Sequence, residues 1–242
     1  MEKRKHAAPM SNRLTLVAFD ADDTLWHNER FFRLTQDRFA ELLADHAEPD
    51  HLAARLLEAE KRNIGRYGFG VKGFVLSMIE TAIEVTDQKV PASVIAELIA
   101  AGQDMLAYPI ELLPHAQAAV QAVAETHRVI LITKGDLLDQ ERKLAQSGLG
   151  DLFDGVEIVS TKSTAAYRTV FERHGDGADR AMMIGNSMRS DVVPVIKAGG
   201  WGVYVPHGLV WEIEHAEPPT DAPRYHELDN LADLAELVDR IA

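Results

Sequence analysis

Residues 14–24 have the sequence Leu-Thr-Leu-Val-Ala-Phe-Asp-Ala-Asp-Asp-Thr, in which an apolar run stops abruptly at a cluster of polar side chains. Such a run is typical of a strand buried in a parallel sheet. Similar runs follow at Val129–Ile132, Val156–Val159, Ala181–Ile184 and Gly202–Val205. Helical patterns separate them, at Pro114–Thr126, Leu137–Ser147, Thr164–His174 and Asp191–Ala198. This alternation predicts an α/β fold, a Rossmann-like parallel sheet flanked by helices.

The gap between the first two strands is far longer than one crossover needs. Helical patterns fill it, at Arg30–Ala47, His51–Asn63, Phe74–Glu84 and Pro91–Met105. We therefore expect an α/β core at residues 1–28 and 107–242, with a helical domain at residues 29–106 inserted after the first strand. The glycine-rich stretch Gly65–Gly73 is predicted to be a loop, which either faces a substrate or only connects helices. An amphipathic pattern over Leu228–Ile241 predicts a C-terminal helix that packs on the sheet.

The composition narrows the class of protein and of ligand. The chain has 242 residues, a formal net charge of −13 and no cysteine. Without cysteine there is no thiolate metal site, so a bound metal would be a hard cation held by oxygen or imidazole ligands. The acidic balance argues against a nucleic-acid polymer as partner, and no apolar run is long enough to span a membrane. The basic segment Met1–Arg13 lacks the apolar region of a signal peptide, so we expect a frayed tail and a cytoplasmic protein.

Polar side chains follow each of the first four predicted strands at the point where the strand ends. The four segments are Asp20–Thr24, Thr133–Asp136, Ser160–Ser163 and Gly185–Asp191. Because ligands bind outside the carboxyl ends of strands in open α/β sheets, these segments should meet at one site. Carboxylates suit Mg2+, and hydroxyl and ammonium groups suit a phosphate. A carboxylate aimed at phosphorus can also act as a covalent nucleophile.

These segments resemble the four ordered motifs of the haloacid dehalogenase-like (HAD) superfamily. Asp20–Leu25 is similar to the first motif, Asp-x-Asp-x-Thr-Leu, and Leu131–Gly135 to the second, a strand that ends in Thr. Lys162 fits the lysine of the third motif, and Gly185–Asp191 is similar to the fourth, Gly-Asp-x-x-x-x-Asp. The inserted helices resemble the C1-type cap of this superfamily. The resemblance implies the phosphatase branch, with Mg2+ as cofactor and a small phosphorylated metabolite as substrate.

The resemblance also implies a role for each matching residue. Asp20 would be the nucleophile and a Mg2+ ligand, and Asp22 the general acid and base that offers its backbone carbonyl to the metal. Thr133 and Lys162 would bind the phosphoryl group, with Lys134 as a further substrate-binding candidate. The remaining metal ligands, direct or through water, would be Asn186 and Asp191.

Two positions depart from the family pattern. Asp23 stands where glycine is common, and it either adds a carboxylate near the site or points to solvent. Asn186 replaces the usual aspartate of the fourth motif, which removes one negative charge and predicts weaker Mg2+ binding. In the insertion, Arg66, Tyr67 and Lys72 are candidates for recognising the leaving group.

The expected activity is hydrolysis of a nucleoside monophosphate, a sugar phosphate or a similar small ester through an aspartyl-phosphate. A phosphomutase uses the same motifs and stays open as an alternative. A 2-haloacid dehalogenase needs no Mg2+ and commonly lacks the second aspartate, so Asp22 argues against it. A non-enzymatic binding protein on this fold would be expected to lose the nucleophile or the lysine, and both are present. The oligomeric state is not predicted.

Overall fold

The computed structural model describes residues 13–241, so the predictions for residues 1–12 lie outside it. Within that range, six parallel strands form one sheet in the order β3-β2-β1-β4-β5-β6. The strands are β1 (Leu16–Phe19), β2 (Arg128–Lys134), β3 (Gly155–Val159), β4 (Ala181–Gly185), β5 (Trp201–Tyr204) and β6 (Tyr225–Glu227). The predicted α/β class and all five predicted strands are confirmed. β6 escaped prediction because a three-residue edge strand, Tyr-His-Glu, carries no apolar run.

Helices lie between each two successive strands from β1 to β5, and one more follows β6. In the core they are α5 (Ala116–Ala124), α6 (Leu137–Ser147), α7 (Thr164–His174), α8 (Val193–Ala198) and α9 (Leu234–Ile241). Between β1 and β2 lie α1 (Glu29–Leu42), α2 (Pro49–Tyr67), α3 (Val71–Val85) and α4 (Ala92–Ala107). We call these four helices the helical insertion. No helix in residues 13–241 combines the length and the apolar character needed to cross a membrane.

The central strand β1 is buried on both faces, and its side chains alternate between two hydrophobic clusters. Leu16 and Ala18 belong to the cluster that includes Tyr167 and Phe171 of α7. Val17 and Phe19 belong to the cluster on the opposite face, which includes residues of α5 and α9. Because successive side chains of a strand point to opposite faces, β1 needs an apolar residue at every position. This double burial holds the end of β1, where Asp20 follows, in a fixed position.

The helical insertion has a hydrophobic cluster of its own. Phe39, Leu52, Phe74, Met78 and Leu98 are buried together, one or two from each helix. This separate cluster supports the proposed division into a helical domain at residues 29–106 and a core at residues 1–28 and 107–242.

Two local predictions differ from the structure. The predicted glycine-rich loop is mostly helical, since only residues 68–70 lie between α2 and α3. A Cβ at Gly73 would lie 2.8 Å from the carbonyl oxygen of Gly68, so this glycine allows a close approach within a helix. The predicted C-terminal helix begins late, because residues 228–230 are not helical and Leu231–Asp233 form a 3-10 turn before α9.

Candidate active site

The carboxyl ends of the strands meet a cavity that the helical insertion closes from the other side. Its volume is about 1140 Å3, including the open mouth. The seven residues proposed from the sequence all line it: Asp20, Asp22, Thr133, Lys134, Lys162, Asn186 and Asp191. This joint placement follows from the parallel sheet, because every strand end that carries a polar segment lies on the same edge.

A buried lysine connects the first and last of the four segments. The Lys162 ammonium donates to Asp20 Oδ1 and, at 2.6 Å, to Asp191 Oδ1. Burial alone would lower the pKa of Lys162, but Asp191 and Asp20 outweigh it and raise the pKa, so this group is a fixed positive charge. Burial raises the pKa of Asp20, and Lys162 offsets part of that rise. The second oxygen of Asp20 accepts a hydrogen bond from Thr24 Oγ1 at 3.3 Å.

Oxygen atoms converge beside Asp20. The side-chain amide of Asn186 lies 3.2 Å from Asp20 Oδ2 and 3.2 Å from the backbone oxygen of Asp22. With its nitrogen turned toward them, Asn186 donates hydrogen bonds. With its oxygen turned toward them, the Asn186 oxygen faces Asp20 Oδ2 and the Asp22 backbone oxygen. A bound cation would offset the repulsion among these three oxygens. Neighbouring ligands of octahedral Mg2+ lie about 3 Å apart, so these residues fit such an ion.

Asp191 is completely buried and its two oxygens are both engaged. Besides Lys162, it accepts a hydrogen bond from the backbone N–H of Ser187 at 3.0 Å. A Cβ at Gly185 would lie 2.2 Å from Asp191 Oδ2, so only glycine permits this position at the end of β4. Asp191 therefore holds Lys162 in place, and it would reach a cation through water more readily than directly.

Asp22 lies beside Asp20, but its carboxylate is bound to the core. It accepts hydrogen bonds from Trp26 Nε1 at 2.8 Å, from Gln140 Nε2 at 2.8 Å and from Lys143 Nζ at 3.0 Å. Burial would raise the pKa of Asp22, but Lys143, followed by the other two donors, lowers it below its ordinary value. Asp22 is thus ionised at neutral pH in the free protein.

The two residues at the end of β2 have different surroundings. Thr133 is buried and its hydroxyl donates to the backbone oxygen of Lys134 at 3.3 Å. Lys134 forms an ion pair with Glu214, donates to Ser190 Oγ at 2.8 Å and lies 4.0 Å from the ring centroid of Phe69. Burial opposes ionisation of Glu214, but Lys134 lowers its pKa to about 2. The ammonium of Lys134 therefore already has an anionic partner.

Asp23 neither points to solvent nor contributes a free carboxylate. It is buried, and its two oxygens accept the backbone N–H groups of Asn28 at 2.9 Å and Glu29 at 2.8 Å. Its φ of +58° explains why glycine suits this position, since few other residues adopt that region easily. Among the described residues, Asp23, His27 and His207 offer ligand atoms within 4.8 Å of one another. A metal there would compete with the hydrogen bonds that begin α1.

Several residues that shape the cavity were not anticipated. Gln140 and Lys143 come from α6, Trp211 and Glu214 from the segment after β5, and Glu60 and Asn63 from α2. None belongs to a local sequence motif. The sequence offers one indication for the residues of α6 and α2, which is that the two members of each pair are three residues apart and so lie on one side of the helix. In the described part of the chain, Phe69 lines the cavity, whereas the candidates Arg66, Tyr67 and Lys72 do not. Lys72 instead pairs with Asp136 at 2.7 Å.

Comparisons with known proteins agree with this fold. A family model of haloacid dehalogenase-like hydrolases matches residues 14–199. A haloacid dehalogenase-like family hydrolase from Xanthomonas campestris shares 39% identity and a TM-score of 0.86, over 97% of this chain and 94% of that one. The chain therefore belongs to the haloacid dehalogenase-like hydrolases, as the motifs predicted. A comparison with curated proteins finds no match.

More distant structures with this fold carry two different activities in their names. A predicted phosphoglycolate phosphatase from Haemophilus somnus has 15% identity and a TM-score of 0.64, with 95% of this chain and 99% of that one covered. The L-2-haloacid dehalogenase of Xanthobacter autotrophicus has 17% identity and a TM-score of 0.64, with 95% and 100% covered. At these identities the likeness concerns the fold, and the reaction has to be argued from the site.

Proposed function

We propose that this haloacid dehalogenase-like hydrolase is a Mg2+-dependent phosphatase that hydrolyses a small phosphorylated metabolite through an aspartyl-phosphate. One observation carries the proposal: the side-chain amide of Asn186 lies 3.2 Å from Asp20 Oδ2 and 3.2 Å from the Asp22 backbone oxygen, so that its oxygen, turned toward them, would complete a set of three cation ligands at the edge of the sheet. Dehalogenation has no use for such a cluster, because its substrate carries no phosphate whose charge a metal would neutralise. The second aspartate, Asp22, supports the same choice, since it is the group that would protonate an ester oxygen.

In the first step, a carboxylate oxygen of Asp20 attacks phosphorus as the bond from phosphorus to the leaving oxygen breaks. Asp22 gives a proton to that oxygen, and the product is an aspartyl-phosphate plus an alcohol. Asp22 is ionised in the free site, and the negative charge of a bound ester favours uptake of a proton from solvent by Asp22 before this step. In the second step, Asp22 takes a proton from water as the water oxygen attacks phosphorus. The bond to Asp20 breaks, and inorganic phosphate leaves.

The other residues orient Asp20 and neutralise the negative charge of the phosphoryl group. Lys162 holds Asp20 in one orientation and supplies a buried positive charge to the phosphoryl oxygens. The Thr133 hydroxyl is available as a further donor, whereas Lys134 would have to exchange Glu214 for the phosphate. A bound Mg2+, held by Asp20, the Asp22 carbonyl and Asn186, would neutralise phosphate charge. We also propose that the helical insertion acts as a cap that keeps bulk water from the intermediate. The cytoplasmic location stays a prediction.

The test is phosphate release from a panel of nucleotides, sugar phosphates, small organic phosphates and para-nitrophenyl phosphate. It is run with Mg2+ and with EDTA, on the wild type, on Asp20→Asn and on the control Asp151→Asn, whose aspartate is exposed in a 3-10 turn. We expect release that needs Mg2+ and falls at least about 10⁴-fold in Asp20→Asn, since loss of a nucleophile has effects of this size. The control should match the wild type.

Other outcomes would contradict the proposal in distinct ways. Halide release from 2-haloacids in the presence of EDTA would identify a dehalogenase. Phosphoryl transfer between sugar phosphates without net phosphate release would identify a phosphomutase. Release that survives Asp20→Asn would exclude the aspartyl-phosphate.

A further inference from the structure

We propose that the substrate carries a primary ammonium group on its leaving group, and that Glu60 and Asn63 of α2 bind it at the insertion end of the cavity. The inference deepens the proposed phosphatase function and rests on it for the position of the phosphate. It is argued from the charges of the cavity, from two buried side chains and from an acceptor oxygen of Asn63 that has no donor among residues 13–241.

The cavity has a strong excess of negative charge. Of the described residues that line it, nine carry a carboxyl group and three carry an ammonium group. The three lysines, Lys134, Lys143 and Lys162, all belong to the core. Within the described chain, the part of the lining that α1–α4 provide has two carboxyl groups, Glu29 and Glu60, and no cation. A phosphate therefore suits the core end, and a cation suits the insertion end.

Glu60 is a buried carboxyl group that has no close cation among the described residues. It is 6% exposed and accepts a hydrogen bond from the side chain of Trp211. Arg33, whose charge influences the pKa of Glu60, pairs instead with Glu29 at 3.3 Å. Burial raises the pKa of Glu60 to about 7, and Trp211 and Arg33 offset only part of the rise. Glu29 and Glu60 also repel each other, so a cation between them would relieve both.

Asn63 adds an acceptor that nothing in the described chain uses. Its side chain is 1% exposed, and its Nδ2 donates to Ser77 Oγ at 3.1 Å and to Glu80 Oε2 at 2.8 Å. These two bonds fix the orientation of the amide. Its Oδ1 then has no hydrogen-bond donor among residues 13–241, because the Ser77 hydroxyl donates to the Gly73 carbonyl. A buried acceptor without a donor lowers stability, and a ligand that donates a hydrogen bond to it recovers that free energy.

A primary ammonium matches this arrangement better than other groups do. It carries positive charge and three N–H donors, whereas a hydroxyl donates once and a quaternary ammonium not at all. Glu60 and Asn63 are three residues apart on one helix and so lie on the same side of it, where one small group can contact both. Phe32 and Phe74 line the same region and keep water away, which strengthens charge-assisted hydrogen bonds.

The experiment compares pairs of esters that differ only in the amine. The first pair is 2-aminoethyl phosphate and 2-hydroxyethyl phosphate, and the second is glucosamine 6-phosphate and glucose 6-phosphate. Dissociation constants are measured by calorimetry on Asp20→Asn protein, so that binding is read without turnover. In at least one pair the amine should bind about tenfold tighter or more, the ratio expected for hydrogen bonds to a charged group. Phosphocholine, which has the charge but no N–H, should lose this advantage.

Variants then assign the effect to α2. Adding Glu60→Gln should remove the preference for the amine, whereas adding Glu58→Gln, the same change at an exposed position of α2, should keep it. Equal affinities within both pairs would overturn the inference, as would phosphocholine binding as tightly as 2-aminoethyl phosphate or a preference that survives Glu60→Gln. The comparison of ligands needs no folded Glu60 variant. Failure of the phosphatase proposal would be seen separately, as absence of phosphate release from every ester by the wild type.

Discussion

The two ends of the cavity hold buried carboxyl groups with different partners. At the sheet edge, Asp20 and Asp191 share Lys162, and Asp22 has Lys143 as its partner. At the insertion end, the side chain of Trp211 is the one hydrogen-bond donor to buried Glu60 among residues 13–241. Burial alone would raise the pKa of Asp22, but Lys143 lowers it, whereas burial raises the pKa of Asp20 to about 7 even beside Lys162 and raises the pKa of Glu60 to about 7.

The carboxylates at the sheet edge already have cationic partners, as catalysis requires, whereas the carboxyl group at the insertion end lacks one. Charges that are already paired and hydrogen-bonded are held in place before the substrate arrives, which electrostatic catalysis requires. A buried carboxyl group without a cation lowers stability when it ionises, and it recovers that free energy only when a ligand supplies the charge. Three variants test this contrast.

The largest effect is expected from Lys162→Met at the sheet edge. Removing the lysine leaves Asp20 and Asp191 buried without their shared cation, and loss of one partner of a buried ion pair costs about 3–5 kcal/mol. Urea unfolding measures it. The control is Lys72→Met, since Lys72 is 62% exposed in its pair with Asp136 and should cost less than about 1 kcal/mol. Similar costs for both lysines would mean that the edge is not held by its buried charges.

The second largest effect is expected from Glu60→Gln, on the pH dependence of the free energy of unfolding. The pKa of Glu60 in the folded protein is about 7, above its ordinary 4.5, so the folded state keeps a proton that the unfolded chain loses. Stability should therefore fall as pH rises from about 4.5 to 7, and Glu60→Gln should recover about 2 kcal/mol above pH 7. Burial also raises the pKa of Glu29 to about 7, so the Glu60→Gln variant should still lose some free energy of unfolding over this pH range.

Urea unfolding at pH 5 and pH 8 checks this, with Glu58→Gln as the control. The wild type should lose free energy of unfolding between the two pH values, and Glu60→Gln should lose less. An equal loss in both proteins would show that Glu60 is already paired, and the contrast between the two ends would disappear.

The smallest effect is expected from Asn186→Asp. A carboxylate 3.2 Å from Asp20 Oδ2 adds negative charge to the proposed cation site, so the Mg2+ concentration for half-maximal activity should fall about tenfold. Without Mg2+ the same charge repels Asp20, and the melting temperature should drop until Mg2+ is added. An unchanged Mg2+ requirement would argue against Asn186 near the metal.

Much of the sheet edge could be predicted because its signals are local. Each strand changes from apolar to polar within one residue, and the rule that parallel strands end on one edge brings Asp20, Thr133, Lys162 and Asn186 together. Their catalytic roles remain proposals. Glu214 and Trp211 escaped prediction, since they lie on a segment after β5 without any periodic pattern. The glycine-rich stretch was predicted as a loop from its number of glycines. That number does not show how closely α2 and α3 approach, which is why a glycine is needed within a helix here.

The sequence by itself determined the α/β class, the family and the set of polar residues at the strand ends. These depend on periodicity and on neighbours along the chain, which a sequence displays directly. The tertiary structure decided which charges are paired. Lys143 contacts Asp22 across 121 residues of sequence, Lys134 contacts Glu214 across 80, and Glu60 has no close cation in the described part of the chain. Burial and distance set the energy of a charge, and both exist only once the chain has folded.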